Sequence, residues 1–419
     1  MTVGQRRTGG HSAGVAGVLD IGTNKICCLI AAPDATGRMG LLGLGHQRSR
    51  GIKAGMIADA AEAEAAVRSA LAQAERMAGL TLDHIDIALA CGRLSASRFT
   101  VRAGVEHAVV TDAEIARLVG GAEAFVAKSG RVAVHIEHSD WWLDGVGGVA
   151  DPRGLAGREL ATQVTAVSAD DGPLRNLLAV IERCHIEVGR LVPVPLASAI
   201  AVTAPEERAG QVLVVDLGGG TVTLAAIVDG ALVAVEAIPV GSNHITYDIA
   251  RSLATSVAEA ERIKTLYGTL VKAASDNSEF ISYPVETAEG RAMYQTSKAQ
   301  LRSIIEPRVE SLFALISERL IASGAGAFLT GRVLLTGGGG QLLGLDQAWM
   351  QRFGGDARVA RPRPLLGMQA GMCSPALSAA LGLQWSLREL KSSGRQLSAG
   401  HASRRGYLGR MQKWLGEGF

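Results

Sequence analysis

Two stretches of the chain share one pattern of apolar and polar positions. Residues 18–30 (VLDIGTNKICCLI) and 212–228 (VLVVDLGGGTVTLAAIV) each have an apolar run, an aspartate, a glycine-containing turn and a second apolar run. Short continuous apolar runs bounded by glycine are typical of buried strands, so each stretch predicts a strand–turn–strand hairpin. A single hairpin of this kind is usually only a turn. Two copies about half a chain apart predict two similar halves that face one another.

The polar residues of both hairpins suit a phosphate that is held together with a cation. Glycine lets backbone N–H groups converge on an anion without a Cβ in the way. A carboxylate beside a phosphate makes sense where hydrated Mg²⁺ lies between them, because Mg²⁺ keeps several waters and binds one or two carboxylates. Asp20 and Asp216 would supply the carboxylates, Thr23 and Thr221 hydroxyl donors, and Lys25 a positive charge for the phosphates.

A third glycine-rich loop follows the apolar residues 333–335 and leads into a helix-like segment. Strand, glycine loop and helix in this order place the positive end of a helix beside a ligand. The loop (GGGGQLL, residues 337–343) matches neither the dinucleotide-binding motif nor the Gly-Lys-Ser/Thr of a P-loop. Two further segments, 195–202 (PLASAIAV) and 374–383 (SPALSAALGL), predict helices whose small residues let them approach closely.

Residues 91–163 predict a small α+β module between the two hairpins. Thr111 and Glu114 have the spacing of a capping box, so we expect a helix to begin after Thr111. His135 and His138 would point to opposite faces of a strand, which argues against a metal site. We expect both histidines to be exposed.

Composition narrows the classes of protein. The chain has 419 residues, 47% of them hydrophobic, and a net charge of +2, which predicts several domains and gives no electrostatic case for nucleic-acid binding. Five scattered cysteines without a CxxC motif indicate buried thiols in a reducing compartment rather than disulfides or zinc. No apolar run approaches the ~18–20 residues of a spanning helix, and no signal-peptide pattern precedes the first hairpin. We therefore expect a cytoplasmic chain.

The amino-acid composition of the chain changes after Leu390. Residues 391–405 are basic and rich in Ser and Gly, which predicts a flexible linker. Residues 406–419 (GYLGRMQKWLGEGF) predict an amphipathic helix. Docking on the protein's own core or on a partner is an alternative, but the long tether and the basic residues favour an anionic membrane surface. The residues expected at the membrane are Tyr407, Leu408, Arg410, Met411, Lys413, Trp414, Leu415 and Phe419.

Together these motifs resemble the actin-like ATPase superfamily, and within it the FtsA family of bacterial cell-division proteins. The resemblance rests on DIGTNK in the first hairpin, DPRGLAGREL (151–160) in the predicted module, and AEAERIKTLYG (258–268) and IIEPRVESLF (304–313) in the second half. It implies an α/β, actin-like fold of two duplicated RNase H-like halves flanking a nucleotide cleft. An inserted small α+β subdomain and a C-terminal amphipathic helix complete the expected architecture.

The resemblance also implies a division into subdomains. Residues 1–15 would be disordered, and the linker 391–405 and the membrane helix 406–419 would follow the body of the protein. Within the body, the expected parts are a first core subdomain (16–90, 164–194 and 375–390), an inserted subdomain (91–163), a second core subdomain (195–243 and 309–374) and an outer subdomain (244–308).

By the same resemblance, the hairpins and the third loop bind ATP and Mg²⁺. Asp20 and Asp216 would hold Mg²⁺, mainly through water, while Glu261 and Lys264 would flank ribose and adenine. A solvated charge pair is the alternative for Glu261 and Lys264. The expected site is Asp20, Gly22, Thr23, Asn24, Lys25, Asp216, Gly218, Gly219, Gly220, Thr221, Glu261, Lys264, Gly337, Gly338 and Gly339.

The family implies an ATP-binding protein that forms filaments with itself on the cytoplasmic side of the inner membrane, as a peripheral protein at the division site. It would anchor the tubulin-like protein FtsZ there by the FtsZ C-terminal peptide and recruit other divisome proteins through the inserted subdomain. Arg308 lies where a groove for that peptide is expected. No catalytic base stands out, and Thr223 occupies a position where many relatives have Asp, so slow or negligible hydrolysis is expected. A sugar- or acetate-kinase-like phosphotransferase and a pilus-assembly ATPase are the alternatives.

Replacing Trp414 with Glu is expected to abolish recruitment to anionic liposomes, because a large aromatic side chain on the apolar face becomes a charge. Sedimentation with liposomes measures this, and a chain truncated after Leu390 gives the reference for complete loss. Nucleotide affinity should stay unchanged. Pelleting of Trp414→Glu at the level of the unmodified chain would count against the membrane helix.

Overall fold

The computed structural model describes residues 14–288 and 290–392. The predicted membrane helix (406–419), the predicted linker (391–405) beyond its first two residues, and residues 1–13 lie outside the described residues. Within the described part, no helix is both long and apolar enough to cross a membrane.

Helices and strands alternate along most of the described chain. The helices are α1 (Ala60–Ala78), α2 (Asp112–Ala127), α3 (Asp171–Arg183), α4 (Val194–Val202), α5 (Asn243–Ser252), α6 (Val257–Tyr267), α7 (Lys298–Ala322), α8 (Leu345–Phe353) and α9 (Ser378–Ser392). The strands are β1 (Ala16–Ile21), β2 (Lys25–Pro33), β3 (Met39–Arg48), β4 (Ile52–Lys53), β5 (Met56–Ile57), β6 (His84–Leu89), β7 (Ser95–Gly104), β8 (Arg131–Leu143), β9 (Val146–Val149), β10 (Glu159–Asp170), β11 (Glu187–Pro193), β12 (Gln211–Leu217), β13 (Val222–Val228), β14 (Ala231–Ile238), β15 (Phe280–Thr287), β16 (Gly290–Ser297), β17 (Arg332–Thr336) and β18 (Asp356–Val359).

The first half of the molecule is built on a mixed five-stranded sheet with the order β11-β6-β1-β2-β3. β1, β2 and β3 form an antiparallel meander, and β6 and β11 extend the sheet from β1 in parallel. A parallel neighbour requires a crossover connection, which α1 provides before β6 and α3 before β11. Helices cover both faces of the sheet, so residues 26–31 of β2 are buried without alternation.

The second half repeats this arrangement. β12, β13 and β14 form an antiparallel meander, while β17 and β18 extend the sheet from β12 in parallel, in the order β18-β17-β12-β13-β14. The two halves therefore share one strand order and one set of strand directions. This confirms the duplication that the repeated hairpin pattern predicts.

Two helices cross between the halves. α4 follows β11 of the first half but packs on the sheet of the second, and α9 follows the second half but packs on β1, β2 and β6 of the first. The two helices touch where a Cβ built on Gly382 would lie 1.7 Å from the carbonyl oxygen of Ala197. The predicted close approach of these small-residue helices is therefore confirmed.

The inserted module contains β7, α2, β8, β9 and β10. Its sheet continues the sheet of the second half through one register pair, Ser95 with Glu236. The capping box of α2 is confirmed, since the Glu114 carboxylate accepts from the Thr111 backbone N–H at 2.8 Å and Thr111 caps the helix start. β10 continues to Asp170 and so runs past residue 163, the last residue of the expected insert.

The expectation that His135 and His138 are exposed is wrong. They are 3% and 9% exposed, because β8 is covered on both faces. On one face His135 lies 3.2 Å from Glu137, whose carboxylate accepts from the backbone N–H of Leu232 in β14 at 2.5 Å. On the other, the His138 ring lies 4.6 Å from the Trp141 ring. His135 therefore lies where the module packs against the second half, and His138 packs on Trp141 within the module.

The outer part of the second half carries α5, α6 and the β15–β16 hairpin. α7 begins beside this hairpin and continues into the core of the second half, where Phe313 packs edge-on against Trp349 of α8 at 5.1 Å between ring centroids. α5, α6 and the third glycine loop form the wall of the second half that faces the site described below.

Replacing Gly382 with Ala is expected to destabilise the protein by about 1–3 kcal/mol, because the added methyl group must push α4 and α9 apart. The matched control is Gly121→Ala in α2, where a Cβ meets nothing within 4 Å. There the substitution should stabilise by up to about 1 kcal/mol, as alanine favours helix over glycine. Urea unfolding followed by circular dichroism measures both, and equal midpoints for the two variants would contradict the close helix contact.

Candidate functional site

Equivalent strands of the two halves deliver the two aspartates to one place. Asp20 lies near the end of β1 and Asp216 near the end of β12, each the middle one of the five strands that form the sheet of its half. Asp20 is in register with Ala88 of the parallel β6, and Asp216 with Thr336 of the parallel β17. Ligands of open α/β sheets bind outside the carboxyl ends of such strands.

The turns that follow the two aspartates are closed by the same hydrogen bond. The N–H of Gly22 donates to the carbonyl of Lys25 at 2.9 Å, and the N–H of Gly218 donates to the carbonyl of Thr221 at 2.9 Å. The turns also touch each other, since a Cβ on Gly220 would lie 2.4 Å from the Thr23 hydroxyl oxygen. A side chain at Gly220 would therefore force the two halves apart.

A cavity of about 500 Å³ lies between the halves, a volume typical of small-molecule sites. It brings together every expected ATP and Mg²⁺ residue except Gly220, which packs behind it against Thr23. The expected residues that line it are Asp20, Gly22, Thr23, Asn24, Lys25, Asp216, Gly218, Gly219, Thr221, Glu261, Lys264, Gly337, Gly338 and Gly339.

At the inner end of the cavity, Asp20 has a positively charged partner and Asp216 has only a neutral one. The Lys25 ammonium lies 2.6 Å from the Asp20 carboxylate. Burial by itself lowers the pKa of Lys25, but the attraction of Asp20 and its neighbours outweighs this, and the pKa lies above its ordinary value. Asp216 accepts a hydrogen bond from the Ser198 hydroxyl of α4 at 2.5 Å. Burial raises the pKa of Asp216 to about 6 although that hydrogen bond opposes the shift. The site therefore favours a cation beside Asp216.

The third glycine loop passes close to the side chain of Asp216. Gly337 has φ +82°, a conformation that side chains rarely adopt, and a Cβ there would lie 2.2 Å from the Asp216 carboxylate. A Cβ on Gly339 would lie 2.8 Å from the Cβ of Ser242 at the start of α5. Glycine thus lets β17 turn closely around the end of β12, and the loop opens the cavity toward α6.

Glu261 and Lys264 form a linked pair on the wall of the cavity. The Lys264 ammonium lies 2.7 Å from the Glu261 carboxylate and donates to the Thr246 hydroxyl at 2.8 Å and the Ser242 carbonyl at 3.3 Å. The Thr246 hydroxyl in turn donates to Glu261 at 2.5 Å. The pair ties α6 to α5, so its groups are held in fixed positions beside the cavity.

A pair of amides joins the two halves at the mouth of the cavity. The Nδ2 of Asn24 donates to Oδ1 of Asn243 at 2.7 Å, and the Nδ2 of Asn243 donates to Oδ1 of Asn24 at 2.7 Å. Asn24 belongs to the first hairpin and Asn243 begins α5 of the second half. We call these two residues the amide clasp.

Sequence reasoning missed several residues at the site. Ser242, directly before α5, lines the cavity, and Thr246 of α5 binds Glu261 and Lys264 beside it; only the Gly-Ser-Asn start of that helix could have signalled them. Leu266 and Leu343 line the outer cavity although they are 61% and 63% exposed. Their place in one cavity could be recognised only from the tertiary structure, because they are far apart in the chain.

Arg308 does not line the cavity. Its guanidinium forms two hydrogen bonds to the Asp248 carboxylate of α5, at 2.6 and 3.1 Å. The expected membrane residues of the tail, 406–419, lie outside the described residues.

The residues present fit a nucleotide held with Mg²⁺. Within residues 14–288 and 290–392, no three His, Cys, Asp or Glu side chains cluster as a complete metal site. Two carboxylates beside glycine turns instead match Mg²⁺, which takes one or two carboxylates and fills its shell with water and phosphate oxygens. The buried hydroxyl of Thr223, which also lines the cavity, has no hydrogen-bond partner among the described residues.

Known structures share the fold. A chain of the PilM–PilN type IV pilus biogenesis complex aligns with a TM-score of 0.62 at 16% identity, covering 88% of this chain and 97% of that one. MreB5 of Spiroplasma citri, solved with ADP, aligns with a TM-score of 0.57 at 14% identity, covering 91% of this chain and 98% of that one. These likenesses establish the actin-like fold that the sequence predicts.

Sequence comparison identifies the family. Residues 213–382 match the family model "Cell division protein FtsA", and residues 92–168 match the model of the SHS2 domain inserted in FtsA. Cell division protein FtsA of Agrobacterium fabrum is 31% identical over 420 residues, and that of Rhizobium meliloti 32% identical over 422 residues. Each alignment covers 97% of this chain and 95% of the relative. The chain belongs to the FtsA family of actin-like cell-division proteins.

Proposed function

We propose that the cavity binds ATP with Mg²⁺ and that this binding controls a filament which anchors FtsZ to the membrane. The observation that carries the ATP and Mg²⁺ part is that two turns closed by the same hydrogen bond, each preceded by an aspartate, meet at one cavity. Phosphates would lie between the turns, and the nucleoside would extend past the third glycine loop toward Glu261 and Lys264. MreB5 of Spiroplasma citri, which shares the fold, has been solved bound to ADP and to AMPPNP, which supports nucleotide binding by this chain.

The inner end of the cavity would hold Mg²⁺ and the phosphates. Asp20 and Asp216 would bind the metal ion, mainly through its water molecules, and the metal would supply positive charge against the phosphate oxygens. Lys25 neutralises Asp20 in the structure and lies where it would also face a phosphate. The backbone N–H groups of the glycine turns would complete the phosphate contacts.

Hydrolysis in this site would be slow or negligible. Of the acidic side chains that line the cavity, Asp20 is paired with Lys25, and Glu261 is engaged by Lys264 and Thr246. Asp216 lies at the proposed metal position and accepts a hydrogen bond from Ser198. No side chain in the described cavity is left as an obvious base for water. We propose that the nucleotide acts mainly by holding the two halves together.

Closure of the halves would set the filament state. The amide clasp and the close contact between Gly220 and Thr23 already join the halves. A nucleotide contacted by both turns would stabilise the closed arrangement because it binds that state better than an open one. Copies of the chain in one closed shape would then assemble into a filament.

Membrane and FtsZ binding would turn this filament into an anchor. The tail helix (406–419) would bind anionic lipid reversibly, and many copies in one filament would supply avidity. The FtsZ C-terminal peptide would dock near Arg308, where an acidic group would share or replace Asp248 as its partner. The inserted subdomain would recruit other divisome proteins. The protein would act at the division site as a peripheral protein on the cytoplasmic side of the inner membrane.

Replacing Asp216 with Ala is expected to weaken Mg-ATP binding at least tenfold, about 1.4 kcal/mol, because the metal loses a carboxylate partner. Isothermal titration calorimetry measures the affinity. The matched control is Asp356→Ala, since Asp356 is exposed at the start of β18, at the opposite end of the sheet from the cavity. It should bind like the unmodified chain.

The pH dependence of Mg-ATP affinity, compared between the unmodified chain and Asp216→Ala, gives a second test. The pKa of Asp216 lies at about 6, so its carboxylate takes up a proton and loses its charge as the pH falls through 6. Mg-ATP affinity of the unmodified chain should decrease between pH 7 and 5 more steeply than that of Asp216→Ala. Equal affinities at pH 7 and parallel pH profiles would refute the proposed metal position.

A further inference from the structure

The amide clasp is a contact between the two halves that needs no ligand. Asn24 belongs to the turn of the first half, and Asn243 is the first residue of α5 in the second half. Each amide donates one hydrogen bond to the other and accepts one from it, both at 2.7 Å. The two side chains are therefore each other's partners, and the clasp is complete without any atom of a nucleotide or a metal ion.

The backbone around the clasp fixes both amides in place. The carbonyl of Asn24 accepts from the N–H of Ser49 at 3.0 Å, which ties the first turn to the segment after β3. The N–H of Asn243 donates to the carbonyl of Gly219 at 2.9 Å. A Cβ built on Gly219 would lie 2.6 Å from the amide carbon of Asn24, so the clasp lies directly against the second glycine turn. The two turns cannot separate unless both hydrogen bonds of the clasp break.

The clasp is also a contact that can open at low cost. Asn24 is exposed and Asn243 is half-buried, so water can replace each hydrogen bond and the net stabilisation is small. The crossing of α4 and α9 differs, because it buries Ala197 and Gly382, and separating these helices would expose apolar surface. Local opening is easiest where contacts are polar and accessible to water. The halves would therefore part at the clasp and stay joined at the crossing helices.

We propose that the amide clasp is a gate for nucleotide exchange, which opens before a nucleotide enters or leaves the cavity and closes again afterwards. This inference rests on the proposed nucleotide function of the same cavity. Because the clasp stabilises the closed arrangement equally with and without nucleotide, it slows entry and release by the same factor and leaves the equilibrium affinity unchanged. A side chain that contacts the nucleotide would instead change the release rate and the affinity together.

Stopped-flow binding of a fluorescent ATP analogue with Mg²⁺ to the full chain tests the gate. Asn243→Ala removes both hydrogen bonds of the clasp, and Asn243 does not line the cavity. The association and dissociation rate constants should both rise about tenfold. Their ratio should stay within about twofold of its value in the unmodified chain. The matched control is Ser252→Ala at the other, exposed end of α5, which should leave both rate constants unchanged.

A double-mutant cycle separates the clasp from a local effect of the substitution on α5. In the Asn24→Ala protein the clasp is already broken, so adding Asn243→Ala should change neither rate constant further. Thermal midpoints of all variants report whether they fold. Equal effects of Asn243→Ala in both backgrounds would overturn the gate. So would a faster release with weaker affinity and an unchanged association rate, because this pattern belongs to a contact with the nucleotide.

The unmodified chain reports separately on the proposed function. Failure to bind the ATP analogue would refute the nucleotide site, whereas normal binding together with unchanged rate constants in Asn243→Ala would refute the gate alone. Hydrogen exchange of residues 22–25 and 218–221, followed by mass spectrometry without nucleotide, gives a readout of opening itself. Exchange should be faster in Asn243→Ala because the turns separate more often. Equal exchange in the variant and the unmodified chain would contradict opening at the clasp.

Discussion

Two carboxylates buried at the ends of equivalent strands are the constraint on which the rest of the site depends. Asp20 and Asp216 are 5% and 8% exposed and line one cavity. Burying charge is unfavourable unless it is paired, and the protein provides an ammonium for Asp20 but only a hydroxyl for Asp216. The remaining imbalance explains why the cavity suits a cation together with an anionic ligand. It also explains the glycine at 337, whose missing side chain leaves room for the Asp216 carboxylate.

The two carboxylates meet because the molecule is built from two similar halves. Each half uses the same strand order to bring one aspartate and one glycine turn to the carboxyl end of its central strand. The crossing helices α4 and α9 then hold the halves face to face, with Gly382 allowing their contact. Because Ser198 of α4 donates to the Asp216 carboxylate, a movement of α4 relative to α9 would also change the surroundings of Asp216. The inserted module is attached to the second half through β14, so movement of the halves would also carry the module.

The sequence predicts the local parts of this structure well and the long-range parts poorly. Hairpins, the capped start of α2 and the close packing of α4 on α9 follow from residue types within a few positions of each other. The burial of His135 could not be predicted in this way, because its partner Glu137 bonds the backbone of Leu232, which lies almost a hundred residues further along the chain. The amide clasp is another example, since Asn24 and Asn243 become partners only once the halves face each other. Thr223 stood out in the sequence only as a missing carboxylate; its unpartnered hydroxyl becomes visible when the register with Asp216 is known.

We propose that both halves hold one ligand at once. A crystal structure of the full chain with an ATP analogue and Mn²⁺, with the metal located by anomalous scattering, tests this most directly. We expect a single metal peak between Asp20 and Asp216, with phosphate oxygens contacted by the backbone of both glycine turns. A nucleotide contacted by one half alone, or a metal peak away from both aspartates, would contradict it.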